Sequence, residues 1–463
     1  MKNYILRLKI NGIKNIDKEI ELNFYNNLAD KNFKDFQKSH ITAIYGANGA
    51  GKTGIIQAME IYQNLFNNKD YLIVENANGH LKNVINQKTK KFTLDIVFAV
   101  FMEEIDTKTK NEKVPDTLKN IYKHYLCIEE VGGSYKLTAD ELYLLKGKNI
   151  NQDEKFTPIY KVKDGNIVDI QESSIGENEK EELFKKTMNI LHFQTLPDVL
   201  LSKDNYNFMQ YKKFIFPYME LKIFALNLIV VMQDSDNNYI NFDNLSQQAN
   251  CLRKYKEQMP EEDYYKLLLE DKFTNLSVEK IPKKLFTNYE DKVKKLTSFL
   301  KVFKDDLNNI EIKKYDNGDF YECELILVYK DGKKINKEYE SSGIKKLITL
   351  YSALNDCVNG KIVFIDEIDA NIHDVLLTKV IEFISLYSKG QFIFTTHNIE
   401  PMEVLKNNKY SIKFLSQGPR MTSWVKNGNY SPASLYKKGL IEYSPFNIEP
   451  ENFLGILGDF DYE

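Results

Sequence analysis

The sequence predicts an α/β protein, a mixed sheet with flanking helices into which a mainly helical lobe is inserted. Three observations predict it. An apolar run at 41–45 passes through Gly46, Gly49 and Gly51 into a helical pattern over 54–65, the strand, turn and helix order of an open α/β sheet. A second run, Lys361-Ile362-Val363-Phe364-Ile365, precedes Asp366-Glu367 and is apolar without alternation, as a parallel strand covered on both faces must be. A third, Gln391-Phe392-Ile393-Phe394-Thr395-Thr396, ends at His397-Asn398.

A chain of 463 residues can build one large core or two to three smaller ones. Hydrophobic residues at 43%, charged residues at 28% and a net charge of -3 give no overall attraction to nucleic acid, so any such contact must be a local basic patch. The basic residues are almost all lysine, with Arg7, Arg253 and Arg420 the exceptions; lysine abundance therefore carries little functional weight, and an arginine finger has few candidates. Cys127, Cys251, Cys323 and Cys357 lack C-x-x-C spacing, which argues against a disulfide framework or a zinc site and for buried thiols in a reducing compartment. Residues 1–10 lack the long apolar segment of a secretory signal. The most apolar stretch, 214–232, is interrupted by Pro217, Glu220 and Lys222 and reads as a buried helix, not a membrane span. A cytoplasmic protein is expected.

Taken in order, residues 4–10 alternate as a strand, Gly12 marks a turn and 20–24 alternate again, which places a β-rich edge beside the core. Residues 26–40 read as a loop and 92–101 as a strand, with Gln87 in the loop before it. Between 103 and 310 no nucleotide motif occurs. There, 122–170 reads as strands with hairpin turns at Gly132-Gly133 and Asp164-Gly165. Helical patterns follow at 179–191, 211–233, 246–256, 261–269 and 288–303. Apolar heptads do not persist, which disfavours a coiled-coil arm and favours a compact lobe. Strands at 321–329 and 334–339 flank Asp331-Gly332, and Ser341-Ser342-Gly343 leads into a helix. The expected organisation is a first part of the core at 1–102, an inserted lobe at 103–310, a second part of the core at 311–430 and a docking tail at 431–463. The aromatic residues of that tail either pack on the core or receive a partner.

The chemistry follows from residue types. Gly46-Ala47-Asn48-Gly49-Ala50-Gly51-Lys52-Thr53 fits G-x-x-x-x-G-K-[ST] between a strand and a helix. Glycine lets successive N–H groups turn around a phosphate, and the positive end of the next helix points at the same anion. Gly46, Asn48, Gly49, Ala50, Gly51, Lys52 and Thr53 are therefore expected to hold a nucleoside triphosphate, with Lys52 on its β- and γ-phosphates and the Thr53 hydroxyl on Mg²⁺. A glycine-rich turn that binds nothing is the weaker reading, because all four fixed positions and both flanking elements agree. Asp366 is expected to hold the Mg²⁺ shell and Glu367 to polarise the attacking water as general base; the alternative is a pair of acids that merely prepares a helix N-terminus. His397 either caps a strand end or places an imidazole beside the γ-phosphate. Gln87 either joins the Mg²⁺ shell or is a surface polar residue. Ser341-Ser342-Gly343 is either an N-cap or a second anion-binding helix end. The lysines of 280–301 either face a phosphate backbone or, the simpler reading, form a solvated helix face.

Together, the Gly46 to Thr53 loop, Ser341-Ser342-Gly343 opening a helix, Ile362-Val363-Phe364-Ile365-Asp366-Glu367-Ile368-Asp369 and Phe394-Thr395-Thr396-His397-Asn398 resemble the ABC-type ATPases of the SMC and OLD-nuclease group, over about residues 1–100 and 311–400. The resemblance implies a P-loop ABC-type ATPase head that uses ATP and Mg²⁺. It puts Ser341, Ser342 and Gly343 at the signature loop, which touches the γ-phosphate of a nucleotide on the partner subunit; the Leu-Ser-Gly-Gly-Gln form is not kept, and Ile344 follows the only glycine. It puts Asp369 in the loop that contacts the facing subunit. A head-to-tail homodimer with two composite ATP sites is implied, with higher oligomers open.

Within that group, the 366–373 stretch, the compact insert and the overall length look like the single-chain ATPases of bacterial anti-phage defence systems, PARIS-like first and Septu-like second. This implies a sensor or clamp that controls a separately encoded effector, a nuclease, with a phage protein or a nucleic acid as trigger and no membrane. A DNA-repair or SMC-like ATPase is one alternative, and a self-contained OLD-type ATP-dependent nuclease is another. The latter needs a Glu and an Asp-x-Asp within a domain of about 100 residues, whereas 66 residues follow His397 and Asp459-Phe460-Asp461 stands at the end of the sequence. A transporter subunit fits less well, since its helical subdomain directly precedes the signature and is shorter than this insert.

Overall fold

The computed structural model describes residues 2–25, 40–102, 117–146, 155–171, 177–187, 189–201, 212–232, 279–408, 410–424 and 430–441. β1 (Lys2–Asn11) and β2 (Ile20–Asn23) pair antiparallel; β3 (Ile41–Gly46) then leads into α1 (Lys52–Asn67), α2 (Glu75–Val84) and β4 (Lys91–Met102). β4 returns beside β1 and starts a meander through β5 (Thr117–Val131), β6 (Ser134–Leu145), β7 (Phe156–Lys163) and β8 (Asn166–Ile170). The result is a seven-stranded antiparallel sheet in the order β2-β1-β4-β5-β6-β7-β8. Its two later hairpins turn where expected, with Gly132 and Gly133 at φ 64° and 83° and Asp164 and Gly165 at 46° and 71°, the positive φ pair that matches strand twist.

Helices α3 (Glu177–Thr187), α4 (Leu196–Leu200) and α5 (Lys212–Leu226) precede β9 (Leu228–Val231). β10 (Glu279–Pro282), α6 (Phe286–Phe303), β11 (Leu307–Asn317), β12 (Phe320–Tyr329) and β13 (Lys334–Asn336) follow, the four strands forming one small antiparallel sheet. The remainder is α7 (Ser342–Val358), β14 (Ile362–Ile365), α8 (Asp374–Tyr387), β15 (Gln391–Thr395), α9 (Glu400–Leu405), β16 (Ile412–Ser416), β17 (Arg420–Ser423) and α10 (Pro432–Lys437).

The core sheet runs β17-β16-β3-β15-β14-β9. It is parallel from β16 to β9, with β17 antiparallel at the edge. Its inner strand β14, Ile-Val-Phe-Ile, reads as an unbroken apolar run because it separates two cores. Ile44, Ile362, Phe364 and Ile393 pack with α1 and the seven-stranded sheet. Ala43, Val363, Ile365, Phe392 and Phe394 pack on the other side with α6, α7 and α8. The parallel strands β3, β14 and β15 thus contribute to both hydrophobic clusters, which fixes their register on either face.

The lobe expected at 103–310 is not a separate helical unit among the described residues. β5 to β8 extend the sheet begun by β1 and β4, β9 forms the outer strand of the core sheet, and β10 pairs with β12. The stretch 214–232 is likewise not one helix. α5 stops at Leu226, the Asn227 N–H donating to the carbonyls of Ile223 and Phe224 at 3.0 and 3.1 Å, and Leu-Ile-Val-Val continues as β9. The reason is tertiary: this run pairs in parallel with β14, Leu228 opposite Ile362 through Val231 opposite Ile365, where branched side chains fit between two packed layers. The helical patterns at 246–256 and 261–269, the loop at 26–39 and Cys251 lie outside the described residues. Cys127, Cys323 and Cys357 are buried thiols. No helix among the described residues is long and apolar enough to cross a membrane.

Candidate active site

β3 ends at Gly46, where a Cβ would stand 2.3 Å from the Leu415 carbonyl oxygen of β16, so only glycine lets the two backbones approach. Gly51 caps α1 in the left-handed region at φ 108°, and a Cβ there would meet Ile16 Cγ1 at 2.9 Å. α1 begins at Lys52 with no acidic residue in its first turn, so the positive end of the helix dipole faces the loop without local compensation. Lys52 is buried, and its Nζ donates to the carbonyls of Gly46 at 2.8 Å and Ala47 at 3.2 Å. Burial lowers its pKa from the usual lysine value, opposed by the charges of Asp366, Glu367 and Asp369. Behind the loop, Tyr436 of α10 stacks on Phe414 at 5.5 Å and meets Tyr45 edge-on at 6.0 Å. Burial pushes the Tyr436 hydroxyl up to about 12, while its hydrogen bond to the Gly46 backbone acts the other way. The described start of the expected tail thus packs under the strand that feeds the glycine loop.

Two strands away in the sheet, β14 delivers the acids. Ile365 pairs with Phe394, so the next residues along, Asp366 and Thr395, stand side by side. The Thr395 hydroxyl donates to Asp366 Oδ1 at 2.5 Å and accepts the Glu367 N–H at 2.7 Å. Asp366 is 2% exposed. Glu367 has φ 43°, a left-handed conformation uncommon outside glycine. Asp369 Oδ2 accepts the His397 N–H at 3.2 Å, which ties the loop after β14 to the end of β15, and Asp369 Oδ1 is buried with no hydrogen-bond partner.

A cleft of about 730 Å³ opens over the loop. Asn48, Gly49, Gly51, Lys52 and Thr53 line it together with Glu367, His397 and Gln87, so the residues named from four separate segments do meet. The Gln87 side-chain amide donates to the carbonyls of Lys82 and Ile85. Gly46, Ala50 and Asp366 are not part of the lining; Ala50 and Asp366 are buried. Ser341, Ser342, Gly343 and Asp369 do not line the cleft either. Ser341 caps α7, its hydroxyl accepting the Ile344 N–H at 3.4 Å, and both serines are exposed.

Sequence reasoning missed part of the wall, Lys14, Asn15, Asn83 and Asn86. The turn after β1 holds two of them. The Asn15 side chain donates to the Gly49 carbonyl at 2.6 Å, that of Asn86 donates to the Lys14 carbonyl at 2.6 Å, and the Lys14 N–H donates to the Val84 carbonyl at 2.7 Å. Gly12 followed by Lys14-Asn15 was the available signal, a polar turn directly after a buried strand. Of the lysines at 280–301, Lys283 pairs with Asp316 at 2.6 Å, Lys294 pairs with Asp291 at 2.9 Å and Lys292 is buried.

The Thr53 hydroxyl and the Asp366 carboxylate are oxygen donors of the kind Mg²⁺ takes, and only Oδ1 of Asp366 is used by Thr395. Among the described residues no group of three or more His, Cys, Asp or Glu side chains could hold a metal, so a cation here would take its remaining ligands from phosphate and water.

The antiparallel layer, the parallel core carrying the glycine loop, and one strand, β15, between that loop's strand and the acidic strand define a mixed α/β fold with a P-loop motif between β3 and α1. Residues 231–403 match the family described as "AAA domain, putative AbiEii toxin, Type IV TA system". That range takes in Ser341, Asp366, Glu367 and His397 and leaves the glycine loop outside. Among solved structures, the chain is similar to the Smc head domain with an extended coiled coil bound to the C-terminal domain of ScpA, derived from Pyrococcus furiosus, at 15% identity and TM-score 0.40, covering 91% of this chain and 96% of that one. It is similar to an SmcHead bound to the C-winged helix domain of ScpA at 15% identity and TM-score 0.42, covering 91% and 97%. For the SMC head domain from Thermotoga maritima the values are 12%, 0.29, 92% and 100%. No curated protein matches the chain.

Proposed function

We propose that this protein is an SMC-like ABC-type ATPase that binds ATP with Mg²⁺ and hydrolyses it, and that it acts as a sensor or clamp controlling a separately encoded nuclease in anti-phage defence. The observation that carries the first part is the meeting of Lys52, Thr53, Glu367 and His397 in one cleft. In the proposed reaction Lys52 exchanges the carbonyls of Gly46 and Ala47 for oxygens of the β- and γ-phosphates. Glu367 takes a proton from the water whose oxygen attacks the γ-phosphorus, the bond to the β,γ-bridging oxygen breaks, and ADP leaves with the electron pair. His397 stabilises charge on the γ-phosphoryl group. Thr53 and Asp366 are the residues that would hold Mg²⁺, which would supply charge neutralisation for the phosphates.

A composite homodimer is proposed because Ser341, Ser342, Gly343 and Asp369 stand outside this chain's own cleft, as residues serving a partner's nucleotide would. Higher oligomers fit the same proposal. The match of 231–403 to a family described with a Type IV TA system supports the defence role. Residues beyond α10 are the proposed docking segment for the effector or another subunit.

The test is purification of wild type and Glu367→Gln with the products of flanking genes, with and without ATP. ATP-dependent retention of a nuclease, strengthened by Glu367→Gln, is expected. Cleavage of DNA or RNA by the purified chain alone with a divalent metal would instead mark a self-contained nuclease.

A further inference from the structure

We propose that Thr395 is a positioning residue that sets both carboxylates of the site through one hydroxyl. This inference rests on the ATPase reading and extends it to a residue outside the cleft lining.

Asp366 and Glu367 are neighbours in sequence, and on a continued strand they would point to opposite faces. Bringing Glu367 to the cleft wall requires the chain to leave the strand at once, and it does so at φ 43°. A left-handed non-glycine residue persists only where its surroundings over-determine it. Thr395 supplies that constraint twice. Its hydroxyl accepts the Glu367 N–H at 2.7 Å, and its carbonyl accepts the Ile368 N–H at 3.1 Å. A hydroxyl has one proton, and with the N–H approaching as donor that proton is directed to Asp366 Oδ1 at 2.5 Å. The carboxylate is thereby fixed in rotation, and Oδ2 is left for the cation shell. Thr395 itself is fully buried, so water does not replace this bond. Serine can make the same three bonds; valine keeps the shape and loses the hydroxyl.

Thr395→Val and Thr395→Ser test this in the full chain. Two readouts are taken: ATP turnover, and the increment in unfolding midpoint that Mg²⁺ adds to that given by ATP alone. With Thr395→Val, kcat falls about tenfold to a hundredfold, as on loss of a group that orients metal ligands. The KM for ATP stays within about twofold, the Mg²⁺ increment is mostly lost, and Thr395→Ser restores both. Should Thr395→Val not fold, Thr395→Cys, with a weak donor of similar size, reads the same quantities. Wild-type turnover and Mg²⁺ increment in Thr395→Val would overturn the inference, as would equal impairment in Thr395→Ser, which would mark packing alone. A wild type that neither binds nor hydrolyses ATP would overturn the ATPase reading itself.

Discussion

The side-chain amide of Asn15 donates to the carbonyl of Gly49 across 2.6 Å and ties the turn after β1 to the phosphate loop. The bond spans 34 residues of sequence and meets Gly49 in its left-handed conformation at φ 76°. Nucleotide affinity should therefore depend on a residue outside the P-loop motif. Asn15→Ala is expected to weaken ATP binding by about 1 kcal/mol, roughly fivefold, and Asn15→Asp by more, since it adds a negative charge beside the phosphates. Titration calorimetry with ATP reads both variants.

Glycine positions separate geometry from mere proximity to the site. Gly51→Ala would force a side chain into the left-handed region at φ 108° and against Ile16 at 2.9 Å, at a cost of about 1–3 kcal/mol. Gly79, inside α2, has nothing within 4 Å of where its Cβ would be, so Gly79→Ala should stabilise by about 0.5–1 kcal/mol through helix propensity. Urea unfolding of the two variants is expected to give shifts of opposite sign.

Lys413 on β16 gives the protein a stability that changes with pH. Its Nζ donates to the Asn23 carbonyl at 2.5 Å and the Ser423 hydroxyl at 2.7 Å, and burial pushes its pKa down to about 7. The folded chain thus releases this proton near pH 7, whereas the unfolded chain keeps it to about pH 10.4. Between those values the unfolded state binds more protons, so stability rises with pH, by at most about 1.4 kcal/mol per unit. Below pH 7 the cost of burying the charge is present in full. Lys413→Met should be the more stable form at pH 6, and its advantage should shrink from pH 7 to 9 in denaturant titrations.

How much of this was legible in the sequence depends on the range of the interactions. The strand, glycine loop and helix of the nucleotide segment are local, and β3, Gly51 and α1 follow from residue types alone. The fully apolar β14 announced a strand buried on both faces, because neither face meets water. β9 was hidden, since Leu-Ile-Val-Val after a long apolar helix becomes a strand only when β14 stands beside it. The attachment of β5 to β8 to the sheet of β1 and β4 was hidden for the same reason, as hairpin signals give pairing within a hairpin and not its docking. At the site, that Lys52, Thr53, Glu367 and His397 line one cleft was legible because each stands at a motif position. Asn15 and Thr395 were not, because each acts through a partner 34 or 28 residues away.

The central claim is a composite site at which Glu367 drives ATP hydrolysis, and it is tested most directly by ATP turnover and particle mass for wild type and Glu367→Gln. The account predicts that wild type hydrolyses ATP, that Glu367→Gln loses about 10²–10⁴ in rate, and that the variant accumulates an ATP-bound dimer or larger assembly. Wild-type turnover in Glu367→Gln, or a single chain that stays single with ATP bound, would contradict it.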